Sequence, residues 1–349
     1  MGGVYLIYTN AGAFIASTIF GLGTYTQLGF HIFVSYVAVL KWLLWDDMAI
    51  PSKDKVDKEY YKTPRRIFLT GGASGVGRHL SLLFTSQGHN VYAADVNARG
   101  LEDTMQNYNE ISGPKGNLYT GVLDVGDFQM WEAILKNSVD KLGGLDVLMN
   151  IAGVAAPGLT VDATEKLIDL HINVNLKGVM IGTSLGGKIM QEQIKKHGGS
   201  CHIVNFASMG AVAPCKGMGL YLGAKYGCRG YTLCAAKDYW GTGVYLSVVM
   251  PEAIKTGMYA NQINNPGSYA GLAFGGPLLD VTDVEWAIVN KVLPERPREY
   301  IIGTSWVRVK GARMSDMFSS SWILNTAEEY MLQQGLKYQA EYLKEKKKN

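Results

Sequence analysis

The decapeptide GLYLGAKYGC, residues 219–228, sets a phenol and an ammonium four residues apart, Tyr221 and Lys225. On a helix, positions four apart share a face. Free tyrosine ionises near pH 10, which is poor for proton exchange at neutrality. A neighbouring ammonium favours the phenolate and lowers that value, so the chemistry open to this pair is acid–base transfer of a proton. The same spacing occurs on many solvated helices, and the pair acquires meaning only from residues elsewhere in the chain.

A second constellation lies far upstream. The octapeptide TGGASGVG, residues 70–77, closes a short apolar run ending in glycines, RIFLTGG, and precedes a segment of helical spacing, RHLSLLFTSQGH. Glycines at such a turn let the backbone approach a pyrophosphate, and the helix N-terminus supplies N–H donors and a positive dipole. The next apolar run, NVYAAD, ends in Asp95. A carboxylate there is placed to bind a ribose hydroxyl. It also repels a 2′-phosphate, so NAD(H) is favoured over NADP(H), with Arg99 nearby as a counterweight.

The elements that must position these residues recur along the chain. NLYTGVLDV, LDVLMNIAG, CHIVNFAS, VYLSVVMP and REYIIG are further apolar runs separated by segments of helical length. Continuous apolar strands alternating with helices imply an α/β fold with a parallel sheet covered on both faces.

These residues together resemble the short-chain dehydrogenase/reductase family, over about residues 64–303. TGGASGVG is similar to the family's TGxxxGxG loop, with Thr70, Gly71, Ser74, Gly75, Val76 and Gly77 in cofactor-binding places. LDV resembles the adenine-contacting segment through Asp124 and Val125, and NIAG resembles NNAG through Asn150, Ala152 and Gly153, with Ile151 as a departure. NVNLKG carries Asn175 where the family has a catalytic asparagine. VNFASMG puts Ser208 at the catalytic serine, 13 residues before Tyr221, and YLGAK is the family's YxxxK. PEAIKT resembles PGxxxT, with Pro251 and Thr256 at the nicotinamide and Glu252 in place of the glycine.

The resemblance implies a Rossmann-type doubly wound sheet and interconversion of a hydroxyl and a carbonyl. Tyr221 is then the acid/base, Lys225 its electrostatic partner and a ligand of the nicotinamide ribose. Ser208 holds the substrate oxygen, and Asn175 positions a water in a proton relay. Ile151 removes a polar side chain beside the sheet. Glu252 is expected to bring a bulky acid to where the backbone nears the cofactor, altering cofactor affinity or substrate choice.

The first 40 residues contain no Lys, Arg, Asp or Glu. Residues 4–45 are long enough for one membrane span of about 20 residues or for two short ones. Gly21, Gly23 and Gly29 flank the polar patch TYTQ, which favours two helices at 4–20 and 30–45, either of which can instead lie in the interface. A buried soluble hairpin is the alternative. Ala13, Ser17 and Gly21 form a small-residue stripe suited to close helix approach in lipid. The bases Lys53, Lys55, Lys58, Lys62, Arg65 and Arg66 follow the apolar segment and none precedes it, which places the main domain on the cytoplasmic or matrix side. The expected location is therefore a membrane, endoplasmic reticulum or mitochondrial inner membrane. The expected organisation is a membrane helix or hairpin at 1–45, a juxtamembrane linker at 46–63, the dehydrogenase domain at 64–310 and a helical extension with a basic tail at 311–349.

Composition narrows the function. A net charge of +3 without a basic stripe argues against nucleic acid. Cys201, Cys215, Cys228 and Cys234 show no ligand spacing and read as reduced, mostly buried thiols, and no metal site is expected. Residues 257–280 are rich in Gly, Asn, Tyr and Leu, and read either as a lid over an apolar substrate or as a plain surface loop. A helix is expected from about Trp322 onward, ending in Lys344, Lys346, Lys347 and Lys348. The expected partners are a lipophilic small molecule, a membrane, and either a second copy or the subunits of a membrane complex packing on the N-terminal helices. The competing function is an accessory subunit of such a complex that keeps the fold and a bound nucleotide.

Overall fold

The computed structural model describes residues 63–264, 276–318 and 322–347, with Gly29, Ile32, Phe33, Ser35 and Tyr36 as isolated helical positions. The proposed hairpin at 4–20 and 30–45 otherwise lies outside the described residues, as do most of the linker at 46–63, residues 265–275 of the expected lid, and Lys348. Among the described residues no helix is long and apolar enough to cross a membrane.

Seven parallel strands form one sheet in the order β3-β2-β1-β4-β5-β6-β7. They are β1 (Arg66–Thr70), β2 (Asn90–Asp95), β3 (Leu118–Val122), β4 (Val147–Asn150), β5 (Cys201–Phe206), β6 (Val244–Pro251) and β7 (Glu299–Ile302). The order reverses beside β1, and in such sheets ligands bind in the crevice outside the carboxyl ends of the strands at that switch point.

The helices are α1 (Gly75–Ser86), α2 (Ala98–Glu110), α3 (Phe128–Leu142), α4 (Glu165–Ile172), α5 (Gly178–His197), α6 (Gly219–Asp238), α7 (Gly257–Ile263), α8 (Val281–Ala287), α9 (Trp306–Phe318) and α10 (Trp322–Lys346). Caps fix several starts. The Asn97 side chain accepts from Gly100 N–H before α2, and Asp127 does the same for Met130 before α3. Helix α3 stops at Gly143, whose φ of 75° suits glycine.

Side chains alternate across the strands and feed two cores. Ile67, Leu69, Val91 and Met149 face α1 and α8, where they meet Leu80, Phe84, Val284 and Ala287. Phe68, Tyr92, Leu148 and Ile203 face α3 and α5, where they meet Trp131, Leu135 and Met190. Each such fully buried side chain contributes about 1.5–3 kcal/mol, enough in aggregate to hold the strand ends rigid beneath the cleft. The cysteines are less buried than expected: Cys201 and Cys228 are buried, Cys215 is half-buried and Cys234 is exposed.

Candidate active site

The loop after β1 turns because its glycines allow it. Gly71 and Gly75 have φ of 78° and 51°, a region that side chains disfavour. A Cβ on Gly77 would lie 2.1 Å from the Gly71 carbonyl oxygen, so only glycine permits α1 to start this close to the loop. Ser74 is the N-cap of α1, yet its side chain makes no capping bond. The first N–H groups of α1 thus face the cleft without a side-chain acceptor, which fits an anionic pyrophosphate.

Behind the loop, Thr70 is buried and its Oγ1 accepts from the N–H groups of Ile151 and Ala152, both at 3.0 Å. Thr70 therefore ties β1 to the segment after β4 and does not line the cleft. Asp95 does line it. One Asp95 oxygen accepts from Ala73 N–H at 3.1 Å and the other from Asn97 N–H at 2.9 Å. Nearby, the Arg78 guanidinium donates to the Ala73 and Gly100 carbonyls and to Thr104 Oγ1. Asp124 also lines the cleft and braces its own turn by accepting from Gly126 N–H at 2.8 Å.

The cleft has a volume of about 660 Å³. Its walls include Gly71, Ser74, Gly75, Val76, Gly77, Asp95, Asp124, Val125, Ala152, Gly153, Ser208, Tyr221, Lys225, Pro251 and Thr256. The structure brings these sequence-derived candidates together along the carboxyl ends of the strands. Asn150 sits below the cleft floor, where its amide donates to Asn205 Oδ1 at 2.8 Å. Asn175 is fully buried in a π-turn, Asn173–Lys177, that joins α4 to α5. Its amide bonds Val154 in both directions, accepting from the N–H and donating to the carbonyl, each at 2.9 Å. Asn175 holds the cleft-lining backbone after β4, and a Cβ on Gly153 would meet both Asn175 Oδ1 at 3.1 Å and Lys225 Nζ at 3.5 Å. Asn175, Gly153 and Lys225 therefore converge.

Tyr221 and Lys225 share a face of α6, with Lys225 Nζ 5.9 Å from the centre of the Tyr221 ring. The ammonium donates to the Phe206 carbonyl at 2.7 Å. Burial pushes the Tyr221 phenol above its ordinary value, and a hydrogen bond with Ser208 pulls it partly back. Burial also pushes Lys225 down. The lowering of the phenol expected from the ammonium is thus opposed by desolvation, and the ammonium itself is engaged by the Phe206 carbonyl.

Both departures from the family pattern, Ile151 and Glu252, line the cleft. Ile151 packs partly buried against the core around β1, while its N–H is taken by Thr70. Glu252 is almost wholly buried and turns toward the chain after β7. It accepts from Thr304 N–H at 2.9 Å and Thr304 Oγ1 at 2.8 Å, and pairs with Arg308. Its acid thus joins β6 to α9, with its charge and both oxygens engaged there.

Sequence reasoning missed other cleft residues: Val154, Met209, Met218, Met258, Gln262 and Arg308. Met258 and Gln262 fall in the stretch expected to cover the substrate, which was a usable signal. Arg308 lies beyond every motif, and nothing local marks it.

Residues 65–266 match the short chain dehydrogenase family. Levodione reductase of Leifsonia aquatica is 32% identical over 202 residues, covering 58% of this chain and 73% of that protein. The 3-oxoacyl-(acyl-carrier-protein) reductase of Thermotoga maritima is 34% identical over 190 residues, covering 54% and 74%. The crystal structure of levodione reductase superposes with a TM-score of 0.62 at 25% identity, over 70% of this chain and 97% of that one. A parallel sheet with its switch point at a glycine loop, and a cleft that gathers serine, tyrosine and lysine, agree with that match: the chain belongs to the short chain dehydrogenase family, whose oxidoreductases act on hydroxyl and carbonyl groups.

Proposed function

We propose that the protein is an NAD(H)-dependent oxidoreductase that interconverts a hydroxyl and a carbonyl on a lipophilic substrate, held at a membrane by its N-terminal segment. The observation that carries this reading is the meeting of Ser208, Tyr221 and Lys225 with the glycine loop and Asp95 in one open cleft. That opening also favours catalysis over a purely structural role as a complex subunit.

The dinucleotide, when bound, supplies or accepts the hydride and, oxidised, brings a positive ring charge. The chain does the rest. Gly71, Gly75 and the start of α1 bind the phosphates, and Asp95 takes the adenosine ribose. Ser208 orients the reacting oxygen and stabilises charge developing on it. Tyr221 delivers the proton to that oxygen during reduction, or removes it during oxidation. Lys225, fixed by the Phe206 carbonyl, holds the ribose side and disfavours a neutral phenol. Asn175 keeps the backbone after β4 in register, leaving room for a relay toward solvent.

NAD(H) is favoured because Asp95 presents negative charge where a 2′-phosphate would lie, while the guanidinium of Arg78 is already committed to Ala73, Gly100 and Thr104. A lipophilic substrate is favoured because the far half of the cleft is walled by Met209, Met218, Leu222, Met258 and Tyr259. The relatives' names, levodione reductase and 3-oxoacyl-(acyl-carrier-protein) reductase, support carbonyl reduction. The membrane assignment rests on the charge-free apolar N-terminus, in which Ile32, Phe33 and Tyr36 are helical and 62%, 61% and 60% exposed.

The test is turnover by the full chain in detergent micelles, followed by NADH absorbance across a panel of lipophilic ketones and alcohols. Turnover by the parent that disappears in Tyr221→Phe supports the reading. Equal turnover by the variant overturns it.

A further inference from the structure

Helix α7 is seven residues long, too short to hold itself in water. Yet Met258, Tyr259 and Gln262 of α7 line the substrate half of the cleft. Something must fix it there.

The C-terminal helix α10 does. The Gln339 side chain is buried, and its amide donates to the last carbonyls of α7, Gln262 at 3.3 Å and Ile263 at 3.2 Å. These are helix-end acceptors that α7 cannot satisfy itself. Two turns further on, Lys346 Nζ donates to Asn264 Oδ1 at 2.9 Å. Between them, Tyr342 packs into a cluster with Ile263 and Tyr259 of α7, with Met218 and Leu222, and with Tyr221 itself. Gln339, Tyr342 and Lys346 share one face of α10. Nearer the start of that helix, Glu329 pairs with Lys216 at 3.2 Å, just before the segment that carries Met218. One helix thus fastens both walls of the substrate half.

We propose that Gln339 and Tyr342 are positioning residues that set substrate specificity: α10, in cis, holds α7 at the distance at which Met258 and Tyr259 grip the apolar body of a carbonyl substrate. This rests on the oxidoreductase reading above. Neither residue lines the cleft; both act through α7 and the segment around Met218.

The experiment compares the full-length parent with Gln339→Leu, which keeps volume and removes the donor, and with Tyr342→Ala and Tyr342→Phe. For a lipophilic ketone, KM rises about tenfold in Gln339→Leu and Tyr342→Ala, the size expected for one lost buried hydrogen bond or packing contact. NADH affinity, read by fluorescence, stays within about twofold of the parent, and Tyr342→Phe restores the parental KM. A parental KM in Gln339→Leu overturns the proposal. Hydrogen exchange separates this failure from failure of the oxidoreductase reading. If the parent turns over nothing, faster exchange at the amides of residues 257–263 in Gln339→Leu still supports the positioning role, and unchanged exchange overturns it.

Discussion

Lys225 lies one helical turn from Tyr221, yet its ammonium bonds the Phe206 carbonyl and stands 5.9 Å from the centre of the Tyr221 ring. With burial raising the phenol, Ser208 is the neighbouring group that lowers it by a hydrogen bond. In Ser208→Ala the phenol therefore rises further. The rising, acid-side limb of the pH–rate profile for alcohol oxidation moves to higher pH, as measured by kcat/KM across pH 6 to 11. Tyr221→Phe cuts kcat by about 10²–10⁴-fold while NADH binding is retained.

The proposed preference for NAD(H) rests on Asp95. Asp95→Asn keeps an oxygen for the Ala73 N–H but removes the charge. The ratio of kcat/KM for NADPH to that for NADH rises by about tenfold or more, the effect of one removed like charge in a partly desolvated site. An unchanged ratio would show that the carboxylate does not face the 2′ position.

Restoring the family's glycine at position 252 is expected to damage this chain. Glu252→Gly strips Thr304 of its acceptor and leaves Arg308 without its counter-charge. Stability falls by about 2–4 kcal/mol, at the lower end because Arg308 is itself 36% exposed. Glu252→Gln, which keeps an acceptor for Thr304, loses about half as much. Thermal unfolding of the two variants and the parent measures both.

Acid sensitivity follows from two buried histidines. His89 accepts the Arg65 N–H on Nδ1 at 3.0 Å and is pushed down to about 4, chiefly by burial. His202, 2.8 Å from Ser247 Oγ, is pushed down to about 3 for the same reason. Above an ordinary value of 6.5 both states are neutral and the full stability is present. Below it the unfolded chain takes up protons that the folded chain refuses. Stability therefore falls with pH until about 4 for His89 and about 3 for His202. Each contributes up to about 1.4 kcal/mol per pH unit. Tm stays level above pH 7 and declines below 6, and His202→Gln shallows the decline. A level Tm from pH 7 to 4.5 counts against the assignment.

The parallel sheet was legible because its strands are continuous apolar runs. NVYAAD and VYLSVVMP each became one strand with the quoted bounds, while RIFLTGG and CHIVNFAS became strands that stop two residues earlier, at Thr70 and Phe206. The glycine loop was legible because glycine is the residue that a left-handed turn and a close backbone approach demand. The partners of Glu252 were not, since Thr304 and Arg308 lie 52 and 56 residues away and no periodicity links them. The bond from Gln339 to α7 spans 77 residues and is hidden likewise. The desolvation of Tyr221 was hidden for another reason: spacing reveals the nearby charge, while burial depends on everything packed around the ring.

The idle hydroxyl of Ser74 has a thermodynamic corollary. A helix whose leading amides lack a side-chain acceptor reaches its full cohesion only when an anion arrives from outside. Mass action then couples the folded fraction to nucleotide supply, by about 2.7 kcal/mol at a hundredfold excess over Kd. Chain that is starved of dinucleotide is accordingly the population most exposed to heat and proteolysis.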